Sequence, residues 1–568
     1  MSAQARRQVL NTLTGPGGEY ELADREFPDG TVRRVVKTAP PRLLDLLLDA
    51  RRFADLDYIA YRDEVYTFGD VIQQTTRLAG ALQGLGVGRG DRVAICMRNC
   101  PEWPAAFFAP MALGAVTVSL NGWWSGEEIA YGLRDAQARA LIVDGQRLER
   151  CGGRLSEMGV PAIAVRSPTP CPDGVVSWEE AMRSASPADL FLAPCSPDDD
   201  CLMLYTSGST AGPKAAVSTH SNVVHALLAW EIENRAQAEL RGLAIPDEPF
   251  QVQHRMLVTI PFFHVTACHV CMLTGLRFGR RLTLMHKWNA EEALDVIERD
   301  RITHFVSVPT VTGDLVRSAA ARKRALPSLL AVGGGGSHRP ANQVTEIFET
   351  FKNALPGTGW GMTETNAIGT QISGPDYLRV PTSSGRCSVL MDMMIVDPAS
   401  GSRLAPGETG ELWVRGTPVV RGYWNNPEAT AEAFRNGWFR TGDLAYVDEE
   451  EFVHFVDRLK DIVIRGGENI SCLKVEDALY QCSGVEEAVA FGIPHNRLGE
   501  ELAAVVVPRS GARLNADDLR DAMEQHVGAF EVPSRILFQD SPLPRIATGK
   551  FAKRRIRAAT LVALSNGR

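Results

Sequence analysis

Short apolar strands alternate with helices of about 10–15 residues through much of this chain, and no other feature constrains its fold as strongly. Apolar runs predict strands over 91–96, 115–120 and 140–144, and the segments between them predict helices over 103–113 and 125–136. Because strands that are apolar throughout must be covered on both faces, this pattern predicts a largely parallel, buried sheet built from βαβ units.

A second block of the same alternation covers residues 256–352. It predicts strands over 256–260, 304–308 and 329–332, and a helix over 290–299. Two blocks of this kind predict two α/β subdomains stacked on each other.

After about residue 385 the chain changes to short strands separated by Gly, Asp and Pro, which predicts a small β-rich subdomain. A further unit with predicted strands over 488–491 and 502–507 and a helix over 517–526 follows. We therefore expect an α/β fold in which a large N-terminal domain of two stacked α/β subdomains and a small β-rich subdomain precedes a small, mobile α+β C-terminal domain. The expected boundaries are 1–40 for a polar, aperiodic and mobile N-terminal extension, 41–459 for the large domain and 460–568 for the small one, with a linker at 457–460.

Composition excludes several classes of protein. The formal net charge of −8 and the lack of basic blocks argue against a protein that coats nucleic acid. The N-terminus has no apolar signal region, and no run of about 18 apolar residues predicts a membrane span. Eleven scattered cysteines, with one Cys268-x-x-Cys271 pair, suit a reducing compartment, so we expect a cytoplasmic protein. The oligomeric state stays open, a homo-oligomer included.

The strongest local signal is the loop Tyr205-Thr-Ser-Gly-Ser-Thr-Ala-Gly-Pro-Lys214, which follows an apolar strand. Its small and hydroxylated residues supply N–H and O–H donors that can surround a polyphosphate, and Lys214 adds a positive charge. An ordinary Gly/Ser-rich connector is the alternative. The loop is not a Walker A motif, because Pro213 precedes the lysine and Ala215 follows it, and it contains no Gly-x-Ser-x-Gly elbow of a serine hydrolase.

Seven further motifs follow this loop in order. They are Pro261-Phe-Phe-His264, Trp360-Gly-Met-Thr-Glu364, Gly410-Glu-Leu, Thr441-Gly-Asp443, Arg458-Leu-Lys-Asp461, Gly466-Gly-Glu-Asn469 and Pro544-Arg-Ile-Ala-Thr-Gly-Lys550. Together with the loop, the series resembles the adenylate-forming enzymes, which include acyl-CoA synthetases, firefly-type luciferases and peptide-synthetase adenylation domains. The resemblance covers roughly residues 60 to 555.

The resemblance implies an ATP-dependent acid–CoA ligase that forms an acyl-AMP intermediate and then an acyl-CoA thioester, with ATP, Mg²⁺ and coenzyme A. A stand-alone adenylation enzyme that loads a carrier-protein phosphopantetheine, or another acceptor, remains an alternative. A non-catalytic nucleotide-binding relative is a third, against which the joint presence of Lys550, Glu364 and Asp443 argues. A P-loop NTPase is disfavoured because the Walker pattern is missing.

The resemblance also implies catalytic roles. Lys550 is expected between the substrate carboxylate and the α-phosphate, where it neutralises the charge that develops as pyrophosphate leaves. Glu364 is expected to bind Mg²⁺ with Thr206 nearby, since magnesium prefers one or two carboxylates plus phosphate oxygens. Thr363 is expected to donate a hydrogen bond to the α-phosphate, and His264 to line the carboxylate pocket. Read alone, Lys550 resembles a surface lysine, the Thr-Glu pair a helix cap and His264 a core histidine.

For the nucleotide, Asp443 is expected to accept hydrogen bonds from the ribose hydroxyls, with help from Arg458, and Trp360 to stack on adenine. A glycine run at 333–336 is expected to let a ring or acyl group lie against the backbone. The other expected nucleotide-site residues are Thr206, Ser207, Gly208, Ser209, Thr210, Gly212 and Lys214 of the loop, Gly334 and Gly335 of the glycine run, and Gly361 and Met362.

Thiol transfer needs different groups at the same acyl carbon, so the resemblance implies a rotation of the small domain about Lys460. Gly466, Gly467 and Glu468 are then expected to border the path of the pantetheine thiol. Glu531 stands where many relatives carry lysine, which leaves the nucleotide end of the thiol donor unassigned.

The acyl pocket is expected to draw on residues 262–271, 308–315 and 333–362. The first of these is apolar and contains no Lys or Asp that would pair with an amino-acid substrate. An apolar fatty, aromatic or polycyclic monocarboxylic acid is therefore favoured, with its identity open.

Overall fold

Two large sheets, with helices between and around them, form the N-terminal three-quarters of the protein in the computed structural model. The structure describes residues 2–168, 170–184, 193–206, 213–242 and 252–565.

The first sheet has eight strands, in the spatial order Gly422–Tyr423, Ala215–Thr219, Asp200–Tyr205, Val116–Ser119, Arg92–Cys96, Ala138–Asp144, Ala162–Val165 and Val175–Ser177. The six strands from Asp200–Tyr205 onward pair in parallel, and the two at the other edge are antiparallel. The parallel strands place their carboxyl ends along one edge.

The second sheet has nine strands, in the order Arg386–Cys387, Thr370–Ser373, Leu355–Trp360, Ala331–Gly334, His304–Ser307, Arg255–Val258, Arg281–Leu284, Asp57–Tyr61 and Glu64–Thr67. Its six central strands, from Leu355–Trp360 to Asp57–Tyr61, are parallel, and each of its two edges is antiparallel.

Three smaller sheets complete the chain. The β-rich subdomain contains Met391–Val396, Gly410–Gly416, Trp438–Val447 and Phe434–Arg435, with Val453–Arg458 beside Trp438–Val447. The C-terminal domain contains Glu468–Ile470, Val463–Arg465, Gly499–Pro508 and Val485–His495, with Arg535–Phe538 beside Gly499–Pro508. An N-terminal hairpin pairs Leu22–Glu26 with Val32–Val36.

The α-helices are Ala3–Thr14, Leu43–Asp49, Phe68–Gly84, Trp103–Ala112, Gly126–Asp135, Gly145–Cys151, Arg154–Met158, Trp178–Ser184, His220–Leu240, Thr274–Arg277, Ala290–Arg299, Pro309–Arg322, Ala341–Thr350, Pro375–Arg379, Pro427–Ala433, Cys472–Gln481, Ala516–Met523 and Lys553–Ser565. Short 3₁₀ turns span Ala50–Phe53, Thr363–Thr365 and Ala529–Glu531, and a π-helix spans Thr266–Leu273. None of the helices in the described ranges is long and apolar enough to cross a membrane.

Local sequence explains the two helices Trp103–Ala112 and Gly126–Asp135. Every residue of Trp103–Ala112 is buried, so this helix has no polar face and belongs to the main core. Gly126–Asp135 instead begins with a capping box, in which Ser125 accepts from the backbone N–H of Glu128 and Glu128 accepts from that of Ser125.

The predicted fold class is confirmed, and most predicted elements lie within two residues of the observed ones. The helix predicted over 290–299 is found at Ala290–Arg299. The strand predicted over 329–332 is found at Ala331–Gly334, because the first glycines of the run at 333–336 continue the parallel ladder with His304–Ser307. In the linker expected at 457–460, the first two residues belong to a strand that ends at Arg458.

The expectation of a mobile extension over residues 1–40 is wrong. Helix Ala3–Thr14 buries Leu10 and Leu13 in the main core, against helix His220–Leu240. Arg6 of this helix forms a buried ion pair with Glu233. Apolar residues spaced three or four apart among polar ones produced a helix with one packed face that composition alone did not indicate.

Candidate active site

The C-terminal domain brings Lys550 to the carboxyl edge of the second sheet. Thr310 Oγ1 donates to the carbonyl oxygen of Gly549 at 2.7 Å, which ties the lysine loop to the large domain. Gly336, after the strand Ala331–Gly334, has a left-handed backbone (φ +80°), and a Cβ there would lie 3.3 Å from Lys550 Nζ. A side chain at position 336 would therefore press on the lysine.

The surroundings of Lys550 lower the pKa of its ammonium group to about 8. Burial is the main cause, Arg458 adds to it, and the Asp443 carboxylate opposes it. The side chain is thus mostly protonated at neutral pH, but it is close to releasing its proton in a way that a surface lysine is not.

His264 lies close enough to Lys550 to respond to its charge. Burial, reinforced by Lys550, lowers the pKa of His264 to about 3, so the imidazole is neutral. Its Nδ1 accepts from the backbone N–H of Thr266 at 3.3 Å, which leaves the proton on Nε2. Asn99 holds this motif in place, since its side chain donates to the Ile260 carbonyl and accepts from the Phe262 N–H.

Glu364 is buried in the 3₁₀ turn between the strands Leu355–Trp360 and Thr370–Ser373 of the second sheet. Tyr423 donates its hydroxyl proton to Glu364 Oε1 at 2.7 Å, and burial raises the pKa of this carboxylate although Tyr423 opposes the shift. Lys214 Nζ lies 5.1 Å from the centre of the Tyr423 ring, a cation–π distance. Tyr423 therefore contacts both Lys214, at the end of the loop 205–214 (the phosphate loop), and Glu364, the carboxylate expected to bind the metal.

Thr206 and Lys214 mark the two ends of the phosphate loop, and the Thr206 N–H donates to the Lys214 carbonyl at 2.8 Å. Thr363 begins the turn that contains Glu364 and is half-buried. The remaining predicted loop residues, Ser207, Gly208, Ser209, Thr210 and Gly212, lie outside the described residues.

Asn366 is a residue that the sequence analysis missed. It is fully buried with a left-handed backbone (φ +51°), two residues after Glu364. Its Oδ1 accepts from Ser218 Oγ at 2.9 Å and from His269 Nε2 at 3.0 Å, and its Nδ2 donates to the Pro418 carbonyl at 2.8 Å. The Asn366 amide thus joins the strand Ala215–Thr219, the π-helix Thr266–Leu273 and the turn that contains Glu364. An asparagine directly after Thr-Glu-Thr was the available signal, because asparagine tolerates left-handed backbone.

Trp360, Asp443 and Arg458 form a single cluster. The indole N–H of Trp360 donates to Asp443 Oδ2 at 2.8 Å, and Arg458 Nε donates to Oδ1 at 3.1 Å. Phe455 stacks on the indole with ring centres 5.3 Å apart. Burial raises the pKa of Asp443, against the effects of Arg458 and Trp360. Phe455 therefore covers one face of the indole.

The glycines near this cluster make room for protein atoms. A Cβ at Gly334 would lie 2.0 Å from Arg339 Nη2, and one at Gly361 would lie 2.3 Å from the Ala367 carbonyl oxygen. At Gly335 a Cβ would meet only ordinary contact with Gly359. The expectation that the glycine run lets a ring or acyl group lie against the backbone stays a prediction, and the missing side chain at Gly334 also makes room for the Arg339 guanidinium. Met362, beside Gly361, donates its N–H to Thr365 Oγ1.

The residues expected along the thiol path are not part of the cluster around Lys550. Gly466 and Gly467 form an exposed two-residue hairpin turn with φ of +62° and +98°, and Glu468 beside them is exposed. Nothing lies within 4 Å of a Cβ built at Gly467. Lys460 is exposed in the turn between the two domains.

Glu531 has a structural explanation. It is buried, and both its carboxylate oxygens accept from Lys474 Nζ at 2.8 and 2.6 Å. It also accepts from the Gly528 N–H. This glutamate holds a turn of the C-terminal domain to helix Cys472–Gln481, and it presents no positive charge to a phosphate.

Two family models and several known proteins match this chain. The model of the AMP-binding enzyme family matches residues 48–424, and the model of the AMP-binding enzyme C-terminal domain matches residues 474–550. A feruloyl-CoA synthase from Amycolatopsis sp is 34% identical over 491 residues, which cover 86% of this chain and 93% of that protein. A long-chain-fatty-acid–CoA ligase from Bacillus subtilis (strain 168) is 29% identical over 546 residues, covering 90% and 94%. The structure of Bacillus subtilis o-succinylbenzoate coenzyme A synthetase (MenE) in complex with ATP and magnesium ion superposes with a TM-score of 0.75 at 25% identity, covering 92% of this chain and all of that one.

Proposed function

This chain belongs to the AMP-binding enzymes and is an acyl-CoA synthetase of the AMP-forming type, and from that premise we propose that it activates an apolar aromatic or fatty monocarboxylic acid with ATP and transfers the acyl group to coenzyme A. The likeness to a feruloyl-CoA synthase and to a long-chain-fatty-acid–CoA ligase supports both substrate types.

The position of Lys550 is the observation that carries the proposal. A carboxylate oxygen of the acid attacks the α-phosphorus of ATP, and the bond from that phosphorus to pyrophosphate breaks. Two anions meet in this step, so a preorganised cation lowers its barrier most. Lys550 is such a cation, because Thr310 fixes its loop and Gly336 leaves space beside it.

The large domain supplies the groups around the phosphates. Glu364, with Thr206 nearby, would hold Mg²⁺, and its buried carboxylate suits an ion that takes one protein carboxylate and several phosphate or water oxygens. The ion would neutralise phosphate charge when bound. No cluster of three or more metal-ligating side chains occurs among the described residues, which fits a metal held largely by the nucleotide.

A neutral donor and an acceptor carboxylate complete the site. His264, with its proton on Nε2, is able to donate to a carboxylate oxygen without adding charge. Asp443 keeps lone pairs beyond those used by Trp360 and Arg458, so it is able to accept from ribose hydroxyls.

The acyl pocket is proposed beside His264, along the π-helix Thr266–Leu273. Seven of the eight residues of this helix are buried, and none of them is Lys, Arg, Asp or Glu. The partly buried side chains of Val306 and Met362 pack against the same core. An apolar wall without a counter-charge favours an uncharged acyl group over an amino acid.

Release of pyrophosphate from ATP across a panel of acids, with and without coenzyme A, tests the proposal. We expect hydroxycinnamic and long-chain fatty acids to stimulate release, amino acids not to, and coenzyme A to be consumed to a thioester. If activity appears only when a phosphopantetheinylated carrier protein replaces coenzyme A, the acceptor is wrong. If no acid stimulates release, the activity itself is wrong.

A further inference from the structure

One ion pair links the glycine run of the large domain to the C-terminal domain. His338 follows Gly336 by two residues, and its Nε2 lies 2.9 and 3.0 Å from the two carboxylate oxygens of Asp477. Asp477 belongs to helix Cys472–Gln481 of the small domain. The loop that contacts Lys550 is therefore the same loop that is bound, through His338, to the domain that supplies Lys550.

The helix also makes hydrogen bonds to the strand Val453–Arg458. Its N-cap residue Ser471 donates to the Val456 carbonyl at 2.7 Å, and the Leu473 N–H donates to Asp457 Oδ2 at 3.2 Å. These contacts lie at the start of the helix. The ion pair with His338 lies further along the helix, so together with these contacts it constrains the angle at which the small domain sits.

The charges that act on His338 come from the C-terminal domain. Burial alone would lower its pKa, but the hydrogen bond and charge of Asp477, together with Glu476, outweigh burial, and the pKa is raised. Lys553, which forms an ion pair with Glu476, acts in the opposite direction. Tyr377 of the large domain also faces Asp477. The net effect favours the imidazolium that pairs with Asp477.

We propose that His338, through its ion pair with Asp477, is a positioning residue that holds the C-terminal domain in the orientation that delivers Lys550 to the nucleotide. This rests on the proposed function, because it assigns the pair to the acyl-adenylate step. The imidazolium supplies the charge of the pair, and a neutral imidazole with its proton on Nε2 keeps only the hydrogen bond. The charge contribution is therefore present at low pH and is lost as the pH rises through the raised pKa of His338.

The two half-reactions separate this role from a general loss of structure. His338→Gln and Asp477→Asn should each slow acid-dependent pyrophosphate–ATP exchange about two- to fivefold, the range expected for a partly exposed ion pair. Formation of thioester from supplied acyl-adenylate should stay unchanged or rise, since it does not need Lys550. The double variant should be no slower than either single one, because the two changes remove the same contact.

Glu486→Gln is the matched control. It removes another cross-domain ion pair, in which Arg317 Nε lies 3.5 Å from Glu486 Oε1, and it should leave both half-reactions within twofold. His338→Arg keeps a positive charge, so it should restore exchange and remove the part of its pH dependence that belongs to the imidazole.

A direct titration provides a readout that is independent of activity. The pKa of His338, measured from its resonance in protein labelled with ¹³C-histidine, should lie above that of an unperturbed histidine and should fall in Asp477→Asn. Equal slowing of both half-reactions in His338→Gln, or a His338 pKa that does not respond to Asp477→Asn, overturns the proposal. A wild-type protein that shows no exchange with any acid while His338 responds to Asp477→Asn would contradict the proposed function but leave the ion pair intact.

Discussion

The half of the site that surrounds Glu364 and the half that contains Lys550 are held in place by different forces. Glu364 and Asn366 are buried in the large domain and are fixed by hydrogen bonds rather than by ion pairs, from Tyr423 to one and around the amide of the other. Lys550 belongs to the other domain, and its loop reaches the site through one hydroxyl bond and nearby ion pairs. One of those pairs joins Arg545 to Asp314 at 2.7 Å.

This contrast fits a reaction whose two steps share some groups of the site and differ in others. A metal and phosphate site that both steps share gains from rigidity, and buried hydrogen-bond networks supply it. If only the first step needs the lysine, as we propose, it must be able to leave, and partly exposed ion pairs cost little free energy to break. We therefore expect changes in the two halves to affect the two steps unequally.

Removing the lysine gives the largest expected effect. Lys550→Ala should slow acyl-adenylate formation about 10²- to 10³-fold, because a preorganised cation at the developing charge is lost. Thioester formation from supplied acyl-adenylate should change by no more than about threefold. Pyrophosphate–ATP exchange and thioester formation, measured separately, check this.

Lys352→Ala provides the control for this variant, since Lys352 is an exposed lysine of the large domain. It should leave both half-reactions at the wild-type rate. If Lys550→Ala slows the two steps equally, the lysine is not specific to the first step, and the contrast between the halves of the site fails.

Asn366→Ala tests the rigid half. It leaves Ser218 and His269 without a buried acceptor, so we expect both steps that use the phosphate site to lose about 10- to 100-fold in kcat. The concentration of Mg²⁺ that gives half-maximal exchange should rise. Steady-state kinetics over a magnesium series, with a thermal unfolding curve to confirm folding, measures both.

Two further variants identify the cause of that loss. Asn436→Ala changes an exposed asparagine with the same left-handed backbone (φ +51°) and should lose no more than about twofold. Asn366→Gly accepts the left-handed backbone readily but lacks the amide. If Asn366→Gly has full activity, the backbone conformation matters and the hydrogen bonds do not.

The fold and the motifs were readable from the sequence, because each depends on local patterns. Parallel strands are apolar throughout, and the motif around Lys550 contains the Gly549 that its turn requires (φ +88°). Asn366 and His338 were not found, since their roles depend on partners such as Pro418 and Asp477 that are more than 50 residues away. Spacing along the chain does not reveal which distant groups a fold brings together.

The glycine run illustrates the same limit at short range. Four adjacent glycines suggest a surface against which a ligand lies. In the structure the Arg339 guanidinium occupies the space where a side chain at position 334 would lie, whereas Gly336 faces Lys550. Gly334 is the last residue of its strand, whereas Gly336 lies two residues beyond it with a left-handed backbone, so the two roles depend on where the strand ends.

The pH dependence of the first step should report the electrostatics of the lysine half. With a Lys550 pKa of about 8, the active ammonium form falls about tenfold between pH 7 and pH 9, and kcat/KM for adenylation should fall with it. The kcat profile should break at higher pH, because a bound triphosphate favours the ammonium. A kcat/KM profile that is flat to pH 9 would contradict the lowered pKa. His338→Gln should keep this break, since it leaves Lys550 in place.

The smallest expected effect concerns the turn between the domains. Lys460→Pro restricts the backbone at the exposed residue predicted to be the hinge, and it also restricts Leu459 before it. We expect thioester formation from supplied acyl-adenylate to slow about three- to fivefold while pyrophosphate–ATP exchange changes less, since the structure already holds Lys550 in place. Lys460→Ala removes the same side chain without the restriction and should behave as wild type. If Lys460→Pro slows both steps alike, or Lys460→Ala matches it, backbone rotation at this residue does not connect the two halves of the site.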